Sequence, residues 1–424
     1  MLIESSNVTQ IGSVRRSWSQ RFQDASSRFD PLLPDLLDQR AAFVIDGPGP
    51  PLEALIYGLH WDLDFGIIEA SRLTGALISR LDGLGIARVD THTGSITRGP
   101  RSASREAAGV FVMTSGTTGT MKPIAHTWRT LNTLDRVRSN QPRFWFVPYQ
   151  PGSYAWYQMM CLGLFRPGQD LYCPPSSDPI EGFRGALDAG ITAVSSTPTF
   201  WRCAFLALDS QVLQQAPIQT ISLGGEIVDQ AILDDLKATY PSATIRHIYA
   251  SSEAGAAIVV TDGRAGFPVD RLTQESICVK VEDGRLHVRS PYTTASAGGA
   301  GECWVDTGDR VEVRGDRVYF LGRAEESTIN VGGMKAYPSE IEAAIMGHPN
   351  VIWAQVYARR APLVGSLPAA RVVLRSRCGD TAQEENALAS FARASLPEHA
   401  VPRTWRFLDE IPMMPSLKTG ETVR

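Results

Sequence analysis

Short apolar runs alternate with amphipathic stretches through the middle of this 424-residue chain. RFWFVPY (143–149), QDLYCPP (169–175), ITAVSSTP (191–198), IQTISLGGE (218–226) and TIRHIYASSE (244–253) read as strands. Each runs into polar or glycine residues at its C-terminal end. Between several of them, IEGFRGALDAG and VDQAILDDLKATYP carry helical spacing. This alternation predicts a parallel sheet covered by helices, with ligands bound beyond the C-terminal ends of the strands. Upstream, GVFVM (109–113) reads as a buried strand that follows an exposed polar loop over 91–109. The first hundred residues carry less pattern, mixing helical patches with a Gly/Pro turn at Gly47 to Pro51.

After residue 275 the texture changes to short alternating strands, with Asp283-Gly284 and Gly315-Asp316 as hairpin turns. From Ser327 the chain reads as a smaller α+β unit. Its first helix opens at Pro338 to Glu340 and stops at Gly347. A boundary between Gly322 and Ser327 divides the chain into domains over 1–322 and 323–424.

Composition narrows the class. A net charge of −4 supplies no basic field for nucleic acid. No apolar run approaches the roughly 18 residues of a membrane helix, and the start MLIESSNVTQ lacks the pattern of a secretory signal. The six cysteines form no C-x-x-C pair, so they read as buried thiols of a cytoplasmic protein without a structural metal.

The most specific stretch is Thr114-Ser115-Gly116-Thr117-Thr118-Gly119-Thr120-Met121-Lys122. Glycines let backbone N–H groups converge, hydroxyls add donors, and Lys122 supplies positive charge, which are the parts of a phosphate cradle. It is not a Walker A loop, because Met121 and Pro123 flank the lysine.

This loop resembles the signature of the adenylate-forming enzymes: acyl-CoA synthetases, adenylation domains and luciferase. Further segments match in family order. Leu223-Gly224-Gly225-Glu226 resembles the segment that packs along adenosine. Tyr249-Ala250-Ser251-Ser252-Glu253 resembles Tyr-Gly-x-Thr-Glu, which implies Tyr249 on adenine, Ser252 on phosphate and Glu253 on Mg²⁺. Asp306-Thr307-Gly308-Asp309 implies that Asp309 binds the ribose hydroxyls, as a carboxylate acceptor can. Gly322-Arg323-Ala324-Glu325 resembles the hinge motif, with Arg323 at the nucleotide and Glu325 as hinge. Pro415-Ser416-Leu417-Lys418 stands where the family has Ser-Gly-Lys, making Lys418 the expected catalytic lysine, with Leu417 in place of glycine. Taken singly, Glu253, Asp309 and Lys418 read as well as surface charges; six motifs in order are what single them out.

The resemblance implies an α/β fold: a large N-terminal domain of β-sheets covered by helices, plus a small mobile α+β C-terminal domain. Members usually carry a longer stretch ahead of the loop than the 113 residues here, so the N-terminal part is expected to be shortened. The implied chemistry is ATP-dependent activation of a carboxylic acid to an acyl-adenylate, then transfer to the thiol of coenzyme A or of a carrier-protein pantetheine. Val331-Gly332-Gly333 favours a thiol, since a pantetheine arm needs close backbone approach. A nitrogen acceptor, and a catalytically degenerate nucleotide-binding protein, stay open as alternatives.

Relatives that activate amino acids place an aspartate after the strand at Trp145 to Pro148; here Tyr149 to Trp156 contains no acid. An unpaired ammonium there would cost several kcal/mol, which favours an aryl or medium acyl acid. Tyr154, Trp156 and Met159 suggest an aromatic pocket wall, although such spacing also suits core. His126 and His247 receive no catalytic role.

Overall fold

The expected strands form at the expected places, and their pairing places their C-terminal ends side by side. The structure, a computed structural model, describes residues 5–98, 109–115, 121–133, 141–273, 277–294, 297, 303–323, 328–361, 365–376 and 379–420, with backbone only at 115 and 273. Six parallel strands lie in the order Thr244–Ser251, Thr220–Gly224, Ala193–Ser196, Arg143–Phe146, Gln169–Cys173 and Val8–Ile11. Antiparallel strands Gly255–Val260 and Val14–Ser17 close the two edges. Leu223 pairs with His247 and Gly224 with Ile248, so the 223–226 and 249–253 segments leave the sheet as neighbours.

The first hundred residues hold more regular structure than their pattern indicates. Ala41–Ile45, Asp64–Glu69 and Ala87–Asp90 join Gly109–Ser115 in a second, parallel core sheet, edged by Ser95–Thr97 and Met121–His126. Ala41–Ile45 and Asp64–Glu69, short strands buried on both faces, carry no alternation to read. Between the two sheets lie helices Trp18–Phe29, Pro50–His60 and Tyr154–Phe165, which share one apolar core with both. The last is apolar all round its circumference, as a helix between two sheets must be. Helices Pro179–Asp188, Pro198–Ala207 and Gln230–Thr239 cover the other face of the first sheet.

Gly152 joins the two sheets. At φ +80° a Cβ there would lie 2.0 Å from the Ile67 carbonyl oxygen, and its own carbonyl accepts from the Met113 N–H at 3.3 Å. Only glycine lets the loop after Arg143–Phe146 lie against the Asp64–Glu69 strand, where its carbonyl reaches Met113 of the strand that leads to the threonine-rich loop.

Cys278–Glu282, Arg285–Arg289, Val305–Arg314 and Arg317–Arg323 form the expected antiparallel sheet. Its first hairpin turns on Asp283 (φ +50°) and Gly284 (φ +71°), the left-handed pair that matches strand twist. The last sheet contains Ile329–Val331, Met334–Ala336, Val351–Ala361, Gly365–Leu374 and Thr404–Phe407, with helices Pro338–Met346 and Thr381–Arg393. Ile352, Trp353, Val373 and Ile411 bury a contact with Cys203 and Phe205 of the Pro198–Ala207 helix, which packs the last sheet against the first. Cys161 and Cys173 are buried thiols as expected, and burial pushes Cys173 up to about 12. Cys203 and Cys278 are only half-buried and Cys303 is exposed, which departs from that expectation, and Cys378 lies outside the described residues. No helix among the described residues is long and apolar enough to cross a membrane.

Candidate active site

The 223–226 and 249–253 segments, the 306–309 turn and the tail that carries Lys418 come together in the fold. Thr114 ends the Gly109–Ser115 strand opposite Lys122, and its hydroxyl donates to the Lys122 carbonyl at 3.3 Å. Lys122 is exposed. Gly116, Thr117, Thr118 and Gly119, with the Ser115 side chain, lie outside the described residues, as does Glu325.

Tyr249 is fixed on two sides. Phe320 covers one face of its ring at 4.8 Å between centroids and 23° between planes. Its hydroxyl donates to the Asp309 carboxylate. Burial first, then the neighbouring Asp309 charge, drives the phenol's pKa up, so it stays a neutral donor. Asp309 also pairs with the Arg323 guanidinium at 3.1 Å, its cross-strand partner across a β-bulge. Gly308 (φ +76°) makes the turn that brings Asp309 round, and Arg323 donates to the Thr307 carbonyl at 2.9 Å. Ser252 and Glu253 are half-buried in the turn after the Thr244–Ser251 strand, and the Glu253 carbonyl accepts from the Thr294 N–H at 2.9 Å. His126 is buried beside them, held by burial down at about 4 and therefore neutral.

Gly224 and Gly225 leave the Thr220–Gly224 strand, and Gly225 turns with φ +81°. A Cβ at Gly225 would sit 3.2 Å from Cε and 3.8 Å from Nζ of Lys418, so the lysine lies over the glycine face. Lys418 is exposed as a residue, while partial desolvation by the groups around its ammonium is the largest cause that lowers its pKa. Glu226 and Asp309 oppose that shift, and Arg323 adds to it. The sequence alone separates Asp309, Glu226 and Lys418 by long stretches of chain; the fold gathers them around one cation.

The Glu226 carboxylate, expected along the adenosine, gathers three donors. It accepts from the Thr199 N–H at 3.1 Å, the Thr199 hydroxyl at 3.0 Å and the Thr419 N–H at 2.9 Å. The first donor is one of the unsatisfied amides at the start of the Pro198–Ala207 helix, a natural place for a carboxylate. Thr197 caps that helix and also donates to the Leu417 carbonyl. Trp353 donates its indole N–H to the Thr419 hydroxyl at 3.1 Å. Sequence reading missed Thr197, Thr199 and Trp353, because nothing local marks them as partners of a tail about 66 to 220 residues away.

The expected pocket wall divides. Trp156 and Met159 belong to the packed core between the sheets, while Tyr154 lies at its edge, 5.9 Å from His126 between ring centroids. Two neighbouring contacts were not expected: Tyr149 hydroxyl with Ser195 at 3.1 Å, and the Gln150 amide donating to Glu69 at 3.0 Å.

The donor set suits a nucleotide with Mg²⁺. Arg323 and Lys418 stand beside Asp309, a carboxylate able to accept from sugar hydroxyls, and Lys122 is an exposed cation on the Met121–His126 strand. Among the described residues no three His, Cys, Asp or Glu side chains gather around a metal position. A single carboxylate, Glu253, fits Mg²⁺, which keeps waters and substrate phosphates as its remaining ligands.

Residues 72–308 match the AMP-binding enzyme family and residues 340–418 the AMP-binding enzyme C-terminal domain. A 2-succinylbenzoate–CoA ligase of Geobacillus kaustophilus is 24% identical over 393 residues, covering 84% of this chain and 77% of that protein. A medium/long-chain-fatty-acid–CoA/3-oxocholest-4-en-26-oate–CoA ligase of Mycobacterium tuberculosis is 41% identical over 112 residues. That match covers 26% of this chain and only 20% of the mycobacterial protein. The structure of an anthranilate CoA ligase in complex with anthranoyl-AMP superposes with a TM-score of 0.74 at 15% identity, covering 98% of this chain and 92% of the other. The o-succinylbenzoate CoA synthetase of Bacillus subtilis superposes at 0.70 and 16% identity, covering 99% and 95%. Motifs, fold and family match converge, and the chain belongs to the AMP-binding enzymes of the adenylate-forming superfamily.

Proposed function

We propose that this protein is an AMP-forming acid–thiol ligase. A carboxylate oxygen of the acid attacks the α-phosphorus of ATP, the bond to pyrophosphate breaks, and an acyl-adenylate results. A thiolate then attacks the acyl carbon and AMP leaves with the electron pair of the C–O bond. Mg²⁺, held on Glu253, would supply charge neutralisation at the phosphates.

The observation that carries this reading is Lys418 over Gly225, within the electrostatic reach of Glu226, Asp309 and Arg323. Phosphoryl transfer gains mainly from positioned cations and N–H donors, and Lys418 with the 114–122 loop supplies both. Asp309, fixed by Tyr249 and Arg323, takes the ribose hydroxyls, and the base stacks on the Tyr249 face opposite Phe320. Residues 323–424 act as a mobile unit hinged at Glu325, whose closure excludes water from the adenylate.

An aryl or medium acyl acid is favoured over an α-amino acid, in keeping with the aryl substrates named for the relatives. The acceptor is coenzyme A or a carrier-protein pantetheine, and the protein works in the cytoplasm. The test is pyrophosphate release from ATP and Mg²⁺ across aryl, fatty and amino acids, each with and without coenzyme A. Stimulation by an aryl or acyl acid, enhanced by coenzyme A, is expected. Response to amino acids alone overturns the substrate class, and silence with intact ATP binding overturns the enzyme reading.

A further inference from the structure

The tail that carries Lys418 is a closed loop with an apolar residue at its tip. Gly420 N–H donates to the Pro412 carbonyl, Met414 N–H to that of Lys418, and Leu417 N–H to that of Met414, each at 2.8 Å. Leu417 adopts φ +64°, a backbone conformation that costs any residue with a Cβ and is normally left to glycine. Yet its side chain is 0% exposed. It lies in the apolar cluster built by the first sheet and the Pro198–Ala207 helix, with Phe146, Phe200 and Leu223. A strained residue at a loop tip persists only when its surroundings hold it there. Here the holding comes from another part of the chain.

Three consecutive residues are fixed to that part by different means. Leu417 is buried in it and its carbonyl accepts from Thr197. Lys418 crosses the bare face of Gly225. Thr419 donates its N–H to Glu226. We propose that Leu417 is a positioning residue, an apolar anchor whose insertion into the first sheet's core seats Lys418 over Gly225. The proposal rests on Lys418 being the cation of the adenylation step. It assigns to burial at residue 417 a docking energy that a glycine there cannot supply.

Burial and strain predict an order of variants. Leu417→Met keeps the burial and stays near wild type. Leu417→Ala loses it and keeps the strain, loosening the docked tail about 10- to 100-fold. Leu417→Gly loses burial but relieves strain, so it falls between them. Hydrogen exchange of the Thr419 amide in the full chain reads the docking equilibrium directly, without substrate. Exchange within Val351–Ala361 serves as the control for unfolding of the last sheet. Pyrophosphate release with the acid that responds in the panel is the second readout: kcat falls in the same order while KM for ATP stays within about twofold.

Unchanged Thr419 protection in Leu417→Ala, or Leu417→Met as loose as Leu417→Ala, overturns the anchor. Lost protection with unchanged kcat overturns its positioning role. If protection follows the expected order but no acid elicits pyrophosphate from wild type, the anchor stands and the ligase reading falls.

Discussion

Glu226→Gln tests how the tail is held. The wild-type carboxylate offers only acceptors to three donors, Thr199 N–H, Thr199 hydroxyl and Thr419 N–H, at 3.1, 3.0 and 2.9 Å. An amide has one accepting end. If its oxygen replaces the atom shared by the Thr199 hydroxyl and Thr419, its NH₂ faces the Thr199 N–H, donor against donor. One hydrogen bond is lost and two pass from charge-assisted to neutral, a total of about 2–4 kcal/mol. Of these three bonds only that to Thr419 crosses to the tail, so their docking share is smaller, about 1–1.5 kcal/mol or roughly tenfold, and loss of the attraction between Glu226 and Lys418 adds to it. The remainder falls on the start of the Pro198–Ala207 helix. Urea unfolding measures the total, and exchange of the Thr419 amide measures the docking share. A full-sized stability loss with unchanged Thr419 exchange would show that the crossing bond contributes nothing and would refute the partition.

Lys418→Ala is expected to lower kcat for pyrophosphate release by about 10²–10³-fold while ATP binding persists, as for loss of one positioned transition-state donor; wild-type release would remove Lys418 from the reaction. The desolvated Lys418 ammonium of the free protein has a pKa below its ordinary 10.5, so kcat/KM for pyrophosphate release is lost on the alkaline side at a pH below the ordinary lysine range. Rising pH favours the docked, neutral lysine even as it removes the cation, so the Thr419 protection factor, taken against the base-catalysed intrinsic exchange rate, rises where kcat/KM falls; parallel loss of both would contradict the assignment. Arg317, with 1% of its side chain exposed, bonds Asp262 at 2.6 Å and the carbonyls of Arg264, Ala265 and Gly266. Arg317→Ala should cost about 3–5 kcal/mol in urea unfolding. Cutting the exposed Arg264–Asp316 pair should cost at most about 1 kcal/mol.

Sequence alone determined whatever depends on neighbours along the chain. The five parallel strands from Arg143–Phe146 to Thr244–Ser251, the Asp283-Gly284 hairpin and the Pro338–Met346 helix follow from local apolar period, turn residues and caps. The motif residues were legible for the same reason: a glycine-threonine loop, or a carboxylate in a fixed turn, carries its chemistry within a few residues. The second sheet was not legible, because doubly buried short strands such as AAFVI look like any apolar run until they pair. Tertiary structure alone decided which distant groups meet. Leu417 in isolation reads as a poor substitute for glycine, and only the core of the first sheet turns its side chain into a buried contact. Glu226 likewise gains its third donor from a residue 193 positions away. Such contacts arise when the chain folds back on itself, with burial and hydrogen bonding outweighing local strain, and no local pattern in the sequence encodes their partners.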